Sequence, residues 1–389
     1  MSDYTDVLSN TQTLISFRSI TPNDAKSHAW LMEALERFEY NCSELNHDDV
    51  TNFLAIPKNG LNESTILFVG HTDVVPANET EWQYPPFEPT WADDILYGRG
   101  AVDMKSSIAA MLSVIAKNYH NHIYSNVAFL ITSNEEGENN FGIEYVLKYH
   151  SHLLKNVKRV LIGEPTSENS VGDTIKVGRR GSLNLLINIK GQAGHVAYPQ
   201  RCHNPIDKGL DIMRQLNEFK WGKAYPNFNS SKMTIVNVCS NSNVFNATPS
   251  ECEIKINWRF NPSITIDIIQ NKLFEILNTF KTNDIKISTQ WFNQTTPFYN
   301  TSLKFANEVK NAISNDQNEN VCFSTSGGTS DARFFDTRQF EVVELGPRNY
   351  SAHKTNEHIS KTDLLQLKQL YENIVKSHAI SCSNLDHQV

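Results

Sequence analysis

Short, almost wholly apolar runs divide the first part of the chain. They lie at residues 66–69, 127–132 and 160–162, and residues 106–117 between them carry apolar side chains at helical spacing. A run that is apolar on both faces predicts a strand in a sheet that helices cover on both sides. Strands that alternate with helices therefore predict an α/β domain with a mostly parallel central sheet.

The pattern changes after Gly181, where apolar and polar residues alternate as in strands with one wet face. Strands are predicted at 183–189, 233–238, 254–260 and 285–291, and helices at 206–219 and 264–280. The order β-α-β-β-α-β is that of the ferredoxin-like split βαβ arrangement. We therefore expect an inserted α+β domain over 182–293, within a catalytic domain formed by 1–181 and 294–389.

Composition restricts the class of protein. The 389 residues carry a formal net charge of −8 without a long basic run, which argues against a nucleic-acid partner. No apolar stretch approaches the ~20 residues of a membrane span, and the first residues lack the pattern of a signal peptide. Six scattered cysteines fit a reducing compartment. A cytoplasmic, globular protein without a membrane partner is expected.

Metal-capable side chains lie where the predicted strands end. Asp103 comes from the loop before the helix at 106–117. The others follow four predicted strands: His71, Asp73, Glu135, Glu136, Glu164 and His353. Ligands of open α/β sheets bind outside the carboxyl ends of the strands. These separate segments are therefore expected to meet at one rim.

Histidines and carboxylates in this mixture suit two hydrolytic metal ions rather than a cysteine-rich structural zinc site. In the pair Glu135-Glu136, one residue can bind metal while the other accepts a proton. Asp73 is placed to accept the second ring N–H of His71. Each element alone also fits a simpler role, namely a surface polar cluster, a solvated acidic turn, or a helix cap at Asp103.

Longer motifs carry a resemblance to a known family. They are Ser-Ile-Thr-Pro-Asn-Asp at 19–24, Gly-His-Thr-Asp-Val-Val-Pro at 70–76, Tyr-Gly-Arg-Gly at 97–100, Asp-Met-Lys at 103–105, Gly-Arg-Arg-Gly-Ser at 178–182, Gly-His-Val-Ala-Tyr-Pro at 194–199, Gly-Gly-Thr-Ser-Asp at 327–331 and Glu-Leu-Gly-Pro at 344–347. Over nearly the whole chain they resemble the dizinc aminoacylase/carboxypeptidase metallohydrolases. The motifs at 19–24, 178–182 and 344–347 resemble, more narrowly, the succinyl-diaminopimelate desuccinylases among them.

The resemblance implies hydrolysis of N-succinyl-LL-2,6-diaminopimelate by two Zn²⁺ per subunit, with Co²⁺ able to replace one of them. It implies that His71 and Glu164 bind one ion, that Glu136 and His353 bind the other, and that Asp103 bridges them. Glu135 is implied to be the general base.

The resemblance also implies a homodimer through the inserted domain, which would act as a lid. His195 is implied to support the oxyanion in the partner's active site. The small-molecule substrate is implied to contact Arg179, Ser182, Tyr198, Asn246, Arg259, Gly328, Thr329 and Asn349. Phe245 departs from the family pattern, which has a second Asn there.

Other interpretations stay open. A related acyl-amino-acid deacylase, such as an acetylornithine deacetylase, or a dipeptidase would share the same metal ligands. A non-catalytic binding protein on the same fold is a third alternative. The presence of Glu135 and of all five implied ligands argues against it.

Overall fold

The computed structural model describes residues 4–121, 126–137, 141–314 and 321–386. Within them the strands are β1 (Tyr40–Glu44), β2 (Asn52–Pro57), β3 (Ile66–His71), β4 (Thr90–Ala92), β5 (Ile95–Tyr97), β6 (Val127–Thr132), β7 (Arg159–Ile162), β8 (Thr174–Lys176), β9 (Gly178–Arg179), β10 (Gly181–Lys190), β11 (Lys232–Ser240), β12 (Glu251–Phe260), β13 (Lys286–Thr295), β14 (Phe298–Tyr299), β15 (Cys322–Ser324), β16 (Glu341–Glu344) and β17 (His358–Ser360). The α-helices are α1 (Val7–Ser16), α2 (Ser27–Glu36), α3 (Lys105–Asn118), α4 (Ile143–Tyr149), α5 (Pro205–Glu218), α6 (Ile266–Asn278), α7 (Lys304–Ser314) and α8 (Lys361–Asp386).

The chain divides into two compact units. The first consists of Met1–Val177, Asn300–Ser324 and Ser330–Val389, and the second of Gly178–Tyr299 and Thr325–Thr329. None of the helices described here is both long and apolar enough to cross a membrane.

A large sheet forms the centre of the first unit. Its strands lie in the order β1-β2-β6-β3-β7-β16-β8-β15, and β6, β3, β7 and β16 are joined by parallel pairing. Every residue of β3 and β6 is buried, because helices including α3 cover the sheet. The predicted α/β class and largely parallel sheet are confirmed. The carboxyl ends of β6, β3, β7 and β16 consequently lie along one edge.

The second unit is built around a four-stranded antiparallel sheet in the order β11-β12-β10-β13. Side chains of β10 and β12 alternate between buried and partly exposed positions, and α5 packs on both strands. The α5 helix begins at an Asn204 cap followed by Pro205, the residue pair that favours a helix start. The predicted β-α-β-β-α-β order is present, with α5 and α6 as its helices.

Candidate metal centre

The predicted rim of metal-capable side chains lies in the first unit. His71 ends β3, while Glu135 and Glu136 follow β6, and Glu164 follows β7. Because these three strands are parallel neighbours, their following residues emerge at the same edge. Asp103 comes from the turn before α3, and His353 comes from the loop after β16.

The side chains form three overlapping groups that could hold metal ions. They are His71 with Asp103 and Glu164, Asp103 with Glu136 and His353, and His71 with Glu135 and Glu136. Within each group the candidate ligand atoms lie within 4.8 Å of one another.

Asp103 stands at the centre of the arrangement. Its Oδ1 lies 3.2 Å from His71 Nε2, and its Oδ2 lies 3.3 Å from His353 Nε2. On the outer sides, Glu164 Oε1 lies 3.7 Å from His71 Nε2, and Glu136 Oε1 lies 2.7 Å from His353 Nε2. Each Asp103 oxygen thus faces a different His–Glu pair, which is the geometry of a bridging carboxylate.

Asp73 holds two neighbours of this centre in place. His71 Nδ1 lies 2.9 Å from the Asp73 carbonyl oxygen, whereas the Asp73 carboxylate is 3.6 Å away. The main-chain oxygen therefore takes the role that we expected of the carboxylate. The carboxylate instead accepts hydrogen bonds from the amides of Glu135 and Glu136, at 3.2 and 3.0 Å.

Two glycines leave room for Met104, the residue that follows Asp103. A Cβ at Gly70 would lie 2.7 Å from Met104 Cε, and a Cβ at Gly163 would lie 2.6 Å from the same atom. Met104 thus packs closely against the residues that precede His71 and Glu164. The sequence shows the glycines but not this reason for them.

The charges of the site are strongly coupled. Burial alone would lower the pKa of His71, but the carboxylates of Asp103, Asp73 and Glu164 outweigh it and hold the pKa well above its usual value. Hydrogen bonds to Asp103 and Glu136 raise the pKa of His353 to about 10. Positive charge is therefore stabilised on both sides of Asp103.

The buried carboxylate of Glu164 also favours a bound positive charge. Burial, followed by repulsion from Asp103, raises the pKa of Glu164 well above its usual value. The Oε1 atom of Glu164 is buried and has no hydrogen-bond partner among the described residues. A buried carboxylate oxygen without a partner is costly unless a cation binds it. The imidazole nitrogens and carboxylate oxygens present fit divalent ions such as zinc.

Glu135 is half-buried beside the ligands. Burial and the charge of Asp331 raise the pKa of Glu135 well above its usual value. Asp331 is itself buried, and burial raises its own pKa to about 6. Asp331 lies in the Gly-Gly-Thr-Ser-Asp motif, but its burial beside Glu135 does not follow from the local pattern of the sequence.

The residues predicted to bind substrate are distributed over both units. In the second unit, the Arg179 guanidinium lies 3.4 Å from the carbonyl oxygens of Ser326 and Gly328, and Thr329 follows in the same segment. Ser182 pairs with Arg259 across β10 and β12.

Three further predicted residues lie on two paired, exposed loops of the second unit. The Val196 amide donates to the Asn246 carbonyl at 3.1 Å, and the rings of His195 and Tyr198 are 5.8 Å apart. Asn349 belongs to the first unit, where its amide donates to the Ser167 carbonyl at 2.8 Å.

Comparison with known proteins agrees with this geometry. Residues 67–377 match the family model described as peptidase family M20/M25/M40. The chain belongs to this family. Its relatives include succinyl-diaminopimelate desuccinylases of Psychromonas ingrahamii, 37% identical over 95% of this chain and 98% of the relative, and of Coxiella burnetii, 38% identical over 94% and 97%.

The fold is also that of the M20 family. A dinuclear metal-binding M20 peptidase of Bacillus subtilis superposes with a TM-score of 0.69 at 14% identity, covering 96% of this chain and 97% of that one. The chain is thus an enzyme of a metal-dependent hydrolase family, as the motifs predict.

Proposed function

We propose that this chain hydrolyses the amide bond of N-succinyl-LL-2,6-diaminopimelate to give succinate and LL-2,6-diaminopimelate, in the cytoplasm. The observation that carries the proposal is the placement of Asp103 between two His–Glu pairs beside Glu135, in a chain similar over nearly its whole length to proteins named for this reaction.

His71 and Glu164 would hold one zinc ion, Glu136 and His353 would hold the other, and Asp103 would bridge them; cobalt is expected to replace zinc at one position. Bound there, the ions would polarise the amide carbonyl and lower the pKa of a water molecule. The Asp73 carbonyl orients His71 for this role, because it can only accept a hydrogen bond from Nδ1–H and so leaves Nε2 facing Asp103.

Glu135 is proposed as the general base. It accepts a proton from the attacking water as the bond from oxygen to the carbonyl carbon forms. The same carboxyl returns the proton to the leaving nitrogen as the carbon–nitrogen bond breaks. A carboxyl group beside the ligands suits both transfers, because its ionised form accepts a proton and its protonated form donates one.

Arg179 and Arg259 are proposed to bind the carboxylates of the substrate, together with Ser182, Tyr198, Asn246, Gly328, Thr329 and Asn349. Burial and the neighbouring Arg180 lower the pKa of Arg259, which indicates that positive charge is concentrated around it. A guanidinium group in such a place favours a carboxylate through paired hydrogen bonds.

The experiment that tests the reaction compares three substrates of the zinc-loaded enzyme: N-succinyl-diaminopimelate, N-acetylornithine and a dipeptide. We expect kcat/KM to be highest for the succinylated compound. Turnover of acetylornithine at an equal kcat/KM would contradict the proposal and favour a deacetylase.

A homodimer through the second unit is proposed as the active form. β11 lies at the edge of its sheet and exposes Val236 and Val238, which are 63% and 47% accessible. An exposed apolar edge strand is a template for pairing with another chain. His195 on its exposed loop would then support the oxyanion in the partner's site.

Mixed dimers test this assignment of His195. A dimer of one His195→Ala subunit and one Glu135→Ala subunit contains one complete site if His195 acts across the interface. Such purified mixed dimers should recover up to about half of the wild-type activity by site counting, while both parent homodimers stay weak. If His195 acts within its own chain, no activity is recovered.

A further inference from the structure

Glu357 lies in the first unit, four residues after the proposed ligand His353 and outside the motifs quoted above. Its carboxylate is completely buried. Oε2 accepts hydrogen bonds from Arg99 Nη1 at 2.8 Å and from the Gly100 amide at 2.9 Å. Oε1 accepts from the amides of Val102 and Asp103 at 2.8 and 3.0 Å.

These contacts hold the turn that presents Asp103. Three amides in a stretch of four residues point at one carboxylate, and Gly100 supports the turn with a φ of +87°. A buried amide that loses its acceptor is unfavourable, so the carboxylate stabilises this shape of the turn. All four partners of Glu357 are donors, so a carboxylate, which only accepts, can satisfy every one of them.

The same residue links this turn to the segment of His353. The Glu357 carbonyl accepts from the Gly98 amide at 3.0 Å, and β17, which begins at the next residue, pairs with β5. Arg99 Nη1 also donates to the Lys354 carbonyl at 3.3 Å. The segments that carry Asp103 and His353 are therefore joined to each other around one buried ion pair.

We infer that Glu357 is a positioning residue, which sets the Asp103 turn relative to His353 and so pre-forms the metal site. The inference rests on the proposed metal ligands but not on the identity of the substrate. Residues that orient metal ligands typically change metal affinity by about 10- to 100-fold when they are replaced.

The test measures binding of cobalt to the metal-free protein, from the visible absorption of the bound ion and from competition with a chelator. Glu357→Gln turns an amide NH₂ group toward two donors. We expect cobalt affinity to fall by about 10- to 100-fold, an altered absorption spectrum, and a lower kcat with little change in KM. Glu357→Asp keeps the acceptor-only carboxylate and should recover part of the affinity.

Glu372→Gln is the matched control. Glu372 is also buried and accepts from Lys117 and Lys376 at 2.9 and 2.6 Å, but on α8 and without a contact to the Asp103 turn. This variant should lose stability while its cobalt affinity and spectrum stay those of the wild type. Wild-type cobalt affinity and spectrum in Glu357→Gln would overturn the inference.

A measurement on the wild-type protein covers the case in which the Glu357 variants do not fold. Within the segment 100–103, the amides of Gly100, Val102 and Asp103 should be strongly protected from hydrogen exchange before any metal is added, because the Glu357 carboxylate already accepts from them. Free exchange of this segment in the metal-free protein would refute the inference. Neither cobalt binding nor exchange requires turnover, so failure of the proposed reaction would be recognised separately by the substrate comparison.

Discussion

Replacement of Glu135 by Gln separates the proposed general base from the proposed ligands. Glutamine keeps the size of the side chain but cannot accept the proton of the attacking water. Loss of a general base typically lowers the rate by ~10²–10⁴, which corresponds to ~2.7–5.4 kcal/mol of activation free energy. We expect this loss in kcat, with KM close to that of the wild type.

The structure also predicts that the variant keeps its metal. Glu136 rather than Glu135 lies 2.7 Å from His353 Nε2 and shares a possible metal site with Asp103. Metal content per subunit should therefore be unchanged in Glu135→Gln and lower in Glu136→Gln, when both are measured by elemental analysis after gel filtration. The exposed Glu168→Gln variant serves as the control. If Glu135→Gln loses metal while Glu136→Gln does not, the two roles are reversed.

Further predictions concern the metal ions and the substrate. Chelation should abolish turnover, and zinc or cobalt should restore it. Asp103→Ala should lower activity more than His353→Ala, because Asp103 contacts both histidines. A metal-free, fully active enzyme would refute the mechanism. The pKa of His353, raised to about 10, means that this side chain is protonated in the metal-free protein at pH 7, so calorimetry in buffers of different ionisation enthalpy should show proton release on zinc binding and an affinity that rises with pH. Arg259→Leu should lower kcat/KM for the succinylated substrate by about one to two decades, from a charge-assisted bond of ~1.5–3 kcal/mol, whereas exposed Arg214→Leu should not.

Sequence patterns succeed where burial is periodic or complete. The runs behind β3 and β6 are apolar on both faces, and a central strand is the structure that buries both faces. Once these strands are parallel neighbours, the meeting of His71 with Glu135 and Glu136 follows from where the strands end. The α/β class and the rim of candidate ligands are therefore predictable from the chain alone.

The same patterns fail where a strand is short, or where two residues in contact are far apart in the sequence. The strands β4, β5 and β17 have three residues each, too few for alternation to be visible. Spacing alone could not show that the Asp73 carbonyl, rather than its carboxylate, would face His71 Nδ1. Glu357 lies in a polar stretch that resembles an exposed loop, and its amide partners are more than 250 residues earlier in the chain.

The charge of the site explains why such distant contacts are needed. Asp73, Asp103, Glu135, Glu136, Glu164 and Asp331 bring six carboxyl groups close to two histidines. In the absence of cations, the raised pKa values of both histidines and of Glu135, Glu164 and Asp331 favour bound protons; burial is the first cause for the three carboxyl groups, and the neighbouring carboxylates raise the values of the histidines. Two divalent ions would replace those protons and leave Glu135 able to act as a base. The charges of the ligands thus change when metal binds, whereas the contacts of Glu357 with Arg99 and the Asp103 turn lie outside the ligand set and can hold its shape in both states.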